Sequence, residues 1–237
     1  MIKSVVKNST LICMLIAVVS FPGKADAQSE ITIESLRDIV DRRTMIRTIR
    51  EVETAGSPYL FEDFKAGHVT LSNGVRSETL LMNYNVHEES VEFIQGDFAL
   101  SIMSDRLAGF EFTDMESSRY LFRNGYEASR LSPDEFVRIL AEGKITALLK
   151  YNISLQQDVP TYGVATQQDR YTQSQRLFIK KDGDIQRVRR MNERSILRSL
   201  DHFQDEMRDF LRQEQLDLAN IEHLERFFRH YNARFEE

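Results

Sequence analysis

The sequence predicts an α+β protein: an antiparallel β-meander, forming an open sheet or a partial barrel, with a short middle helix and C-terminal helices packed on it. Three observations carry this expectation. From Gly67 to Met103 apolar residues recur at every second position, as in Leu80, Met82, Tyr84 and Val86, which puts them on one face of a strand. Asn73-Gly74, Asn124-Gly125 and Asp182-Gly183 punctuate the chain with the residue pairs that suit tight hairpin turns. Beyond Asp201 the apolar spacing changes to threes and fours, as in Ile221, Leu224, Phe228 and Tyr231, the period of a helix face. The polar alternate positions suit antiparallel strands with one wet face rather than a doubly buried parallel sheet.

The first 27 residues read as a signal peptide. Lys3 and Lys7 give a positive start, Leu11 to Phe21 is almost wholly apolar, and Pro22-Gly23 breaks any helix. Ala25-Asp26-Ala27 then supplies the small-x-small pattern that signal peptidase reads, so Ala25 and Ala27 mark the expected cleavage site. The apolar core is too short to cross roughly 30 Å of hydrocarbon as a permanent helix. Removal of this segment takes Cys13, the only cysteine, and leaves no disulfide, thiol nucleophile or thiolate metal site. It also removes Lys3, Lys7, Lys24 and Asp26, shifting the formal charge from −6 to −8. That balance argues against nucleic acid as a partner. The mature chain, 28–237, is expected to form one domain, β-rich over 56–190 and helical over 192–235, with no later transmembrane span.

Residues 30–55 fit a helix through Leu36, Ile39 and Val40, or a strand through Ile46, Thr48 and Val52. Their arginines, Arg37, Arg42, Arg43, Arg47 and Arg50, would suit anionic lipid or polysaccharide. Interleaved Asp38, Asp41, Glu51 and Glu53 make a solvated face the reading adopted. Strands follow through Val69 and Leu71, the 80–86 and 91–93 stretches, Phe98 to Ile102, Phe110 to Phe112 and Tyr120 to Phe122. Ser132, Pro133 and Glu135 form a capping box with Leu131 stapled to Phe136, so a helix of about ten residues is expected up to Gly143. Ile145 to Ile153 returns to strand, and Gln156 to Gln175 reads as a long polar loop. Leu177 and Ile179 lead into the Asp182-Gly183 hairpin. Asp201 with Gln204 then caps a helix whose face is Phe203, Met207, Phe210 and Leu211.

Catalytic patterns are scarce. His87-Glu88-Glu89 lacks the second histidine of a zinc-protease helix, since position 91 is Val91. No nucleophile elbow, phosphate loop or dinucleotide fingerprint occurs. Asp182-Gly183-Asp184 reads as a turn rather than a calcium loop. His202, with Glu206 four residues on, and His223 with His230 share helix faces but sit among charged residues, as on a solvated surface. Asn152-Ile153-Ser154 is a formal glycosylation sequon. No catalytic, cofactor-binding or metal-ligating residue is assigned, and no cofactor is expected.

Gly56-Ser57-Pro58-Tyr59-Leu60, Phe64, Gly67, Val69, Leu71, Leu81 and Tyr84-Asn85 resemble the opening of an uncharacterised group of small exported proteins from Bacteroidota-type bacteria. Glu142-Gly143-Lys144, Lys150-Tyr151, Tyr162-Gly163, Lys181-Asp182-Gly183 and Tyr231-Asn232 extend the likeness. The resemblance implies export and a β-rich fold with C-terminal helices, and it supplies no functional residue. The expectation is an exported cell-envelope protein, periplasmic or on the outer surface, acting as a non-catalytic binding or assembly component for an unknown envelope protein. The alternatives are a carrier of an apolar small molecule, suited by fifteen Phe and eight Met, and an envelope hydrolase built on converging carboxylates or histidines.

Overall fold

Residues 136–141, Phe-Val-Arg-Ile-Leu-Ala, are almost wholly apolar, and every one of them is buried. Burial on both faces is what a central strand demands, and it overrides the capping box that precedes them. In the computed structural model, which describes residues 32–36, 54–96, 98–113, 119–157 and 169–235, the expected middle helix is therefore absent. The Glu135 carboxylate does accept from the Ser132 amide at 2.7 Å, but the box closes a single turn and Val137–Ala141 continues as a strand. The cleavage-site residues Ala25 and Ala27, and the arginines Arg37 to Arg50, lie outside the described residues.

The strands are β1 (Lys65–Leu71), β2 (Leu80–Asn85), β3 (Ser90–Gln95), β4 (Phe98–Met103), β5 (Leu107–Phe112), β6 (Tyr120–Arg123), β7 (Val137–Ala141), β8 (Thr146–Gln156), β9 (Arg170–Lys181) and β10 (Asp184–Val188). They form one antiparallel open sheet in the order β10-β9-β8-β7-β6-β5-β1-β2-β3-β4. The helices are α1 (Ile33–Leu36), α2 (Glu193–Ser199), α3 (Gln204–Gln213) and α4 (Ile221–Ala233). The α+β class and the C-terminal helices match the sequence reading.

The order places β5 beside β1 rather than β4, so the chain passes from one edge strand back across three others. It does so through only Ser104–Arg106, a single 3-10 turn. A link that short reaches at most about 14 Å, whereas four strand spacings on a flat sheet span about 19 Å. The β1–β5 half is therefore strongly curled. Gly67 and Gly109 permit the curl, because a Cβ at either would come within 2.4 Å of a neighbouring strand's carbonyl oxygen.

The period-two positions fill the inner face as expected. Tyr84, Phe110, Phe122 and Phe136 form one aromatic cluster, with Phe110 stacked on Phe122 at 4.6 Å between centroids and Tyr84 edge-on to Phe136 at 5.8 Å. The helices close the inner face of the other half. Leu224, Phe227, Phe228 and Tyr231 of α4 are all buried, as are Met207 and Leu211 of α3. A smaller cluster of Leu121, Leu131, Val137, Ile139, Leu148 and Phe178 occupies the outer face of β6–β9.

Three turn expectations fare differently. At Asp182-Gly183 both residues have positive φ, +49° and +96°, and β9 pairs with β10 directly across them, the two-residue type I′ hairpin expected. At Asn73-Gly74 only Gly74 has positive φ, and the connection runs from Ser72 to Thr79. Asn124-Gly125 opens a long connection to β7 instead of a hairpin, and Asn124 Nδ2 donates to the Leu107 and Ser104 carbonyls at 2.7 and 3.1 Å. The polar stretch expected as a loop from Gln156 to Gln175 is shortened at its C-terminal end, since β9 already starts at Arg170. Asp201 pairs with Lys181 instead of capping α3, and the cap position is Phe203 in left-handed geometry.

Candidate functional site

Strand β4 is the most unusual surface of the sheet. Its sequence, Phe-Ala-Leu-Ser-Ile-Met, holds no charge and no proline, and among the described residues it forms an edge paired to β3 alone. An edge strand offers a row of unused backbone donors and acceptors, which proteins ordinarily blunt with charge, proline or a covering element. Leu100 and Ile102 point inward and are buried. Phe98 shares their face by the alternation, yet it is 57 % exposed because it lies beyond the end of the core. Met103, on the other face, is 43 % exposed.

The outer face continues this apolar character inward from the edge. Ala99 pairs with Ile94, Leu81 stands one step beyond the Met82–Phe93 pair, and Leu81 pairs with Ala66. Leu81 is 50 % exposed. The register thus lays Ala66, Leu81, Ile94 and Ala99 across four strands in one row that ends at β4. A row of this kind beside an open edge provides both parts of strand-addition recognition: backbone hydrogen bonds and shallow apolar contacts.

The β2–β3 turn that carries this end of the sheet is clasped to the far strands. Glu89 holds a left-handed backbone, φ +53°, a conformation that costs a non-glycine residue about 1–3 kcal/mol unless its surroundings fix it. They do so through its carboxylate. Glu89 Oε2 accepts from the Tyr84 hydroxyl at 2.6 Å and from the Phe136 amide at 3.1 Å, and Oε1 pairs with the buried Lys150 ammonium. Glu135 lies 3.7 Å from the same ammonium. Burial, reinforced by the Glu89 charge, pushes the Tyr84 phenol well above its ordinary range. His87 Nδ1 lies 3.2 Å from the Ile153 carbonyl and its ring packs edge-on to Tyr171. Glu89 and Glu135 converge on the Lys150 ammonium, and Glu89 joins the turn to Tyr84, Phe136 and Lys150 at once.

A second buried ion pair anchors α4 under the middle of the sheet. Arg138 of β7 donates to Glu225 at 2.6 Å, lies 3.4 Å from the Tyr151 hydroxyl and places its guanidinium 3.7 Å over the Tyr120 ring. Burial opposes the Arg138 charge, but Tyr151, Tyr120 and Glu225 together hold it firmly ionised. Burial pushes the Glu225 carboxyl upward, against the pull of Arg138 and Arg229. Asn232 completes the anchor by exchanging hydrogen bonds with both the amide and the carbonyl of Ile145.

The histidines weighed from sequence do not converge. His223 Nδ1 accepts from the Asp217 amide at 3.0 Å, and His230 stacks on Phe210 at 3.8 Å. His202 is exposed, with Phe235 nearby at 6.0 Å between rings. Among the described residues no group of three or more His, Cys, Asp or Glu side chains could hold a metal ion. No helix among them is long and apolar enough to cross a membrane. The sequon residue Asn152 lies within β8, where its side-chain oxygen accepts from Arg176. The inward residues that would border a carrier's cavity, Tyr84, Phe93, Leu100 and Phe112, are all buried in the core cluster. Comparison with protein families, with curated proteins and with solved structures finds no match to this chain.

Proposed function

We propose that the protein is an exported, non-catalytic component of the cell envelope that binds or assembles with another envelope protein through the β4 edge. The observation that carries this reading is an uncharged edge strand with exposed Phe98 and Met103, continuous with the Leu81–Ile94–Ala99 row. The partner that fits is an extended, largely apolar segment that adds to β4 as an eleventh strand. The basic start, apolar core and Ala-x-Ala ending at Ala27 support export to the periplasm or the outer surface. The resemblance to exported Bacteroidota-type proteins points the same way.

The carrier reading is the alternative, and the packing counts against it. An apolar ligand in the curl would have to displace Tyr84, Phe110, Phe122 and Phe136, which occupy one another's space. A photo-crosslinking residue at Phe98, compared with one at the exposed Gln186 of β10, tests the docking reading in the source cells. A discrete protein adduct from position 98 alone is the expected result. Native mass spectrometry that finds a small-molecule increment, with no adduct from position 98, would replace docking with the carrier reading.

A further inference from the structure

Although the chain carries a net charge of −6, residues 187–198 hold five arginines, Arg187, Arg189, Arg190, Arg194 and Arg198, against one acid, Glu193. All five are exposed. None of their side chains has an ion-pair or hydrogen-bond partner among the described residues. Elsewhere arginine is mostly matched, as in Arg76 with Glu111, Arg123 with Glu142 and Arg226 with Glu214. The acids nearest this stretch are already engaged: Glu193 lies 3.6 Å from Arg208, Asp205 also pairs with Arg208, and Asp201 pairs with Lys181.

The fold holds most of these charges out together. Helix α2 buries Ile196 and Leu197, so Arg194 and Arg198, one turn apart, share its solvent side. Both line an open groove of about 390 Å³ with Arg208, Gln204, Glu193 and Leu197. Arg189 and Arg190 fill the bend that leads into α2, whereas Arg187 of β10 pairs with Phe178 of the outer-face cluster and projects from the opposite face of the sheet. Arg194 and Arg198 on the solvent side of α2, with Arg189 and Arg190 in the adjoining bend and an open groove rather than an enclosed cavity, match an array of phosphates better than one small anion. The stretch contains no aromatic residue, so it lacks the stacking platform of a single-strand nucleic-acid site. The acids at the groove, Glu193 and Asp205, are both held by Arg208, which leaves Arg194 and Arg198 open to an anionic surface.

We propose that this arginine face docks the protein onto an anionic membrane surface, with the guanidinium groups engaging lipid phosphates. The proposal is independent of the β4 reading and stands on a different side of the sheet. The test is co-sedimentation of the full chain, as recovered from expressing cells, with phosphatidylcholine vesicles that contain or lack phosphatidylglycerol. Binding is expected only to the anionic vesicles, and it weakens as salt shortens the Debye length. Arg194→Gln with Arg198→Gln lowers the partition about 25-fold, at roughly fivefold for each charge near the surface, while Arg194→Lys with Arg198→Lys keeps most of it. Equal binding to neutral vesicles overturns the proposal, as does anionic binding that the Gln pair leaves intact. Absence of vesicle binding overturns it too, including when duplex DNA or an anionic polysaccharide is retained instead. Should the Gln pair fail to fold, lipid selectivity and salt dependence of the unaltered protein still decide the matter.

Discussion

At one edge of the sheet β10 carries Asp184 and Arg187 and is followed at once by α2, whose Ile196 and Leu197 are buried. At the other, β4 carries no charge and exposes Phe98 and Met103. The first edge is blunted in two of the ways proteins ordinarily use, charge and a covering element. Among the described residues the second has neither, although it is the longer of the two strands. A chain with 29 % charged residues has ample means to protect β4. That contrast between the two edges is what the proposed docking at β4 rests on.

The largest effect expected in breaking this comparison comes from the centre, which supports both edges. Glu225→Ala leaves Arg138 charged, buried and unmatched, and should lower the unfolding free energy by about 3–5 kcal/mol in urea titration. Arg138→Met combined with Glu225→Leu should recover most of that loss. A double variant as unstable as the single one would mean the pair does more than neutralise a buried charge. Next comes the guarded edge. Ile196→Ala should cost about 2–4 kcal/mol in thermal or chemical unfolding and raise light scattering as α2 loosens from β10. Unchanged scattering at matched stability would show that α2 is not what protects that edge.

A pH effect sharpens the comparison at the bare end, where Tyr84 of β2 lies beneath the clasped turn. Its phenol is raised in the folded state by burial and by Glu89. Above the ordinary tyrosine range of about 10 the unfolded chain therefore loses a proton that the folded one keeps. Stability falls as pH rises through that window and is fully present below it. Absorbance at 295 nm should show part of the tyrosine titrating only together with unfolding, and Tyr84→Phe should shrink that part, since burial also raises the Tyr151 and Tyr231 phenols. The smallest effect on stability is expected at the bare edge itself. Phe98→Lys should shift unfolding by no more than about 0.5 kcal/mol while abolishing the crosslinked adduct described above. A loss of several kcal/mol would mean Phe98 belongs to the core.

Much of the sheet was legible in the chain because alternation is a local signal. Leu80, Met82, Tyr84, Val91, Phe93, Leu100 and Ile102 all fall on the buried face. The α4 face of Leu224, Phe228 and Tyr231 was equally plain. The misreading at 132–142 has a physical origin: Ser132, Pro133 and Glu135 satisfy the start of a helix, while the six residues after them satisfy a strand buried on both sides. Tertiary burial decided between the two. Helix α2 falls inside the stretch read as helical, 192–235, but its own limits were not legible because only Ile196 and Leu197 mark its buried side. The candidate edge was illegible for a different reason. Nothing in Phe98–Met103 records that β5 pairs with β1 and leaves β4 outermost, since that follows from strand order across the whole chain. The arginines of 187–198 stood in plain view, but their lack of acidic partners depends on how Lys181 and Arg208 engage the neighbouring acids.

The Arg138–Glu225 pair also sets an order of events in folding. A bare guanidinium in the middle of β7 opposes burial of that strand until a carboxylate 87 residues further on arrives to meet it. Contacts so distant in sequence form late, because the intervening loop must first be closed. The sheet can begin to assemble early, yet its centre stays open to water until α4 has been synthesised and docked. Burial of the centre of the sheet and docking of α4 are thus expected to be one coupled event, because neither the guanidinium nor the carboxylate can leave water without the other.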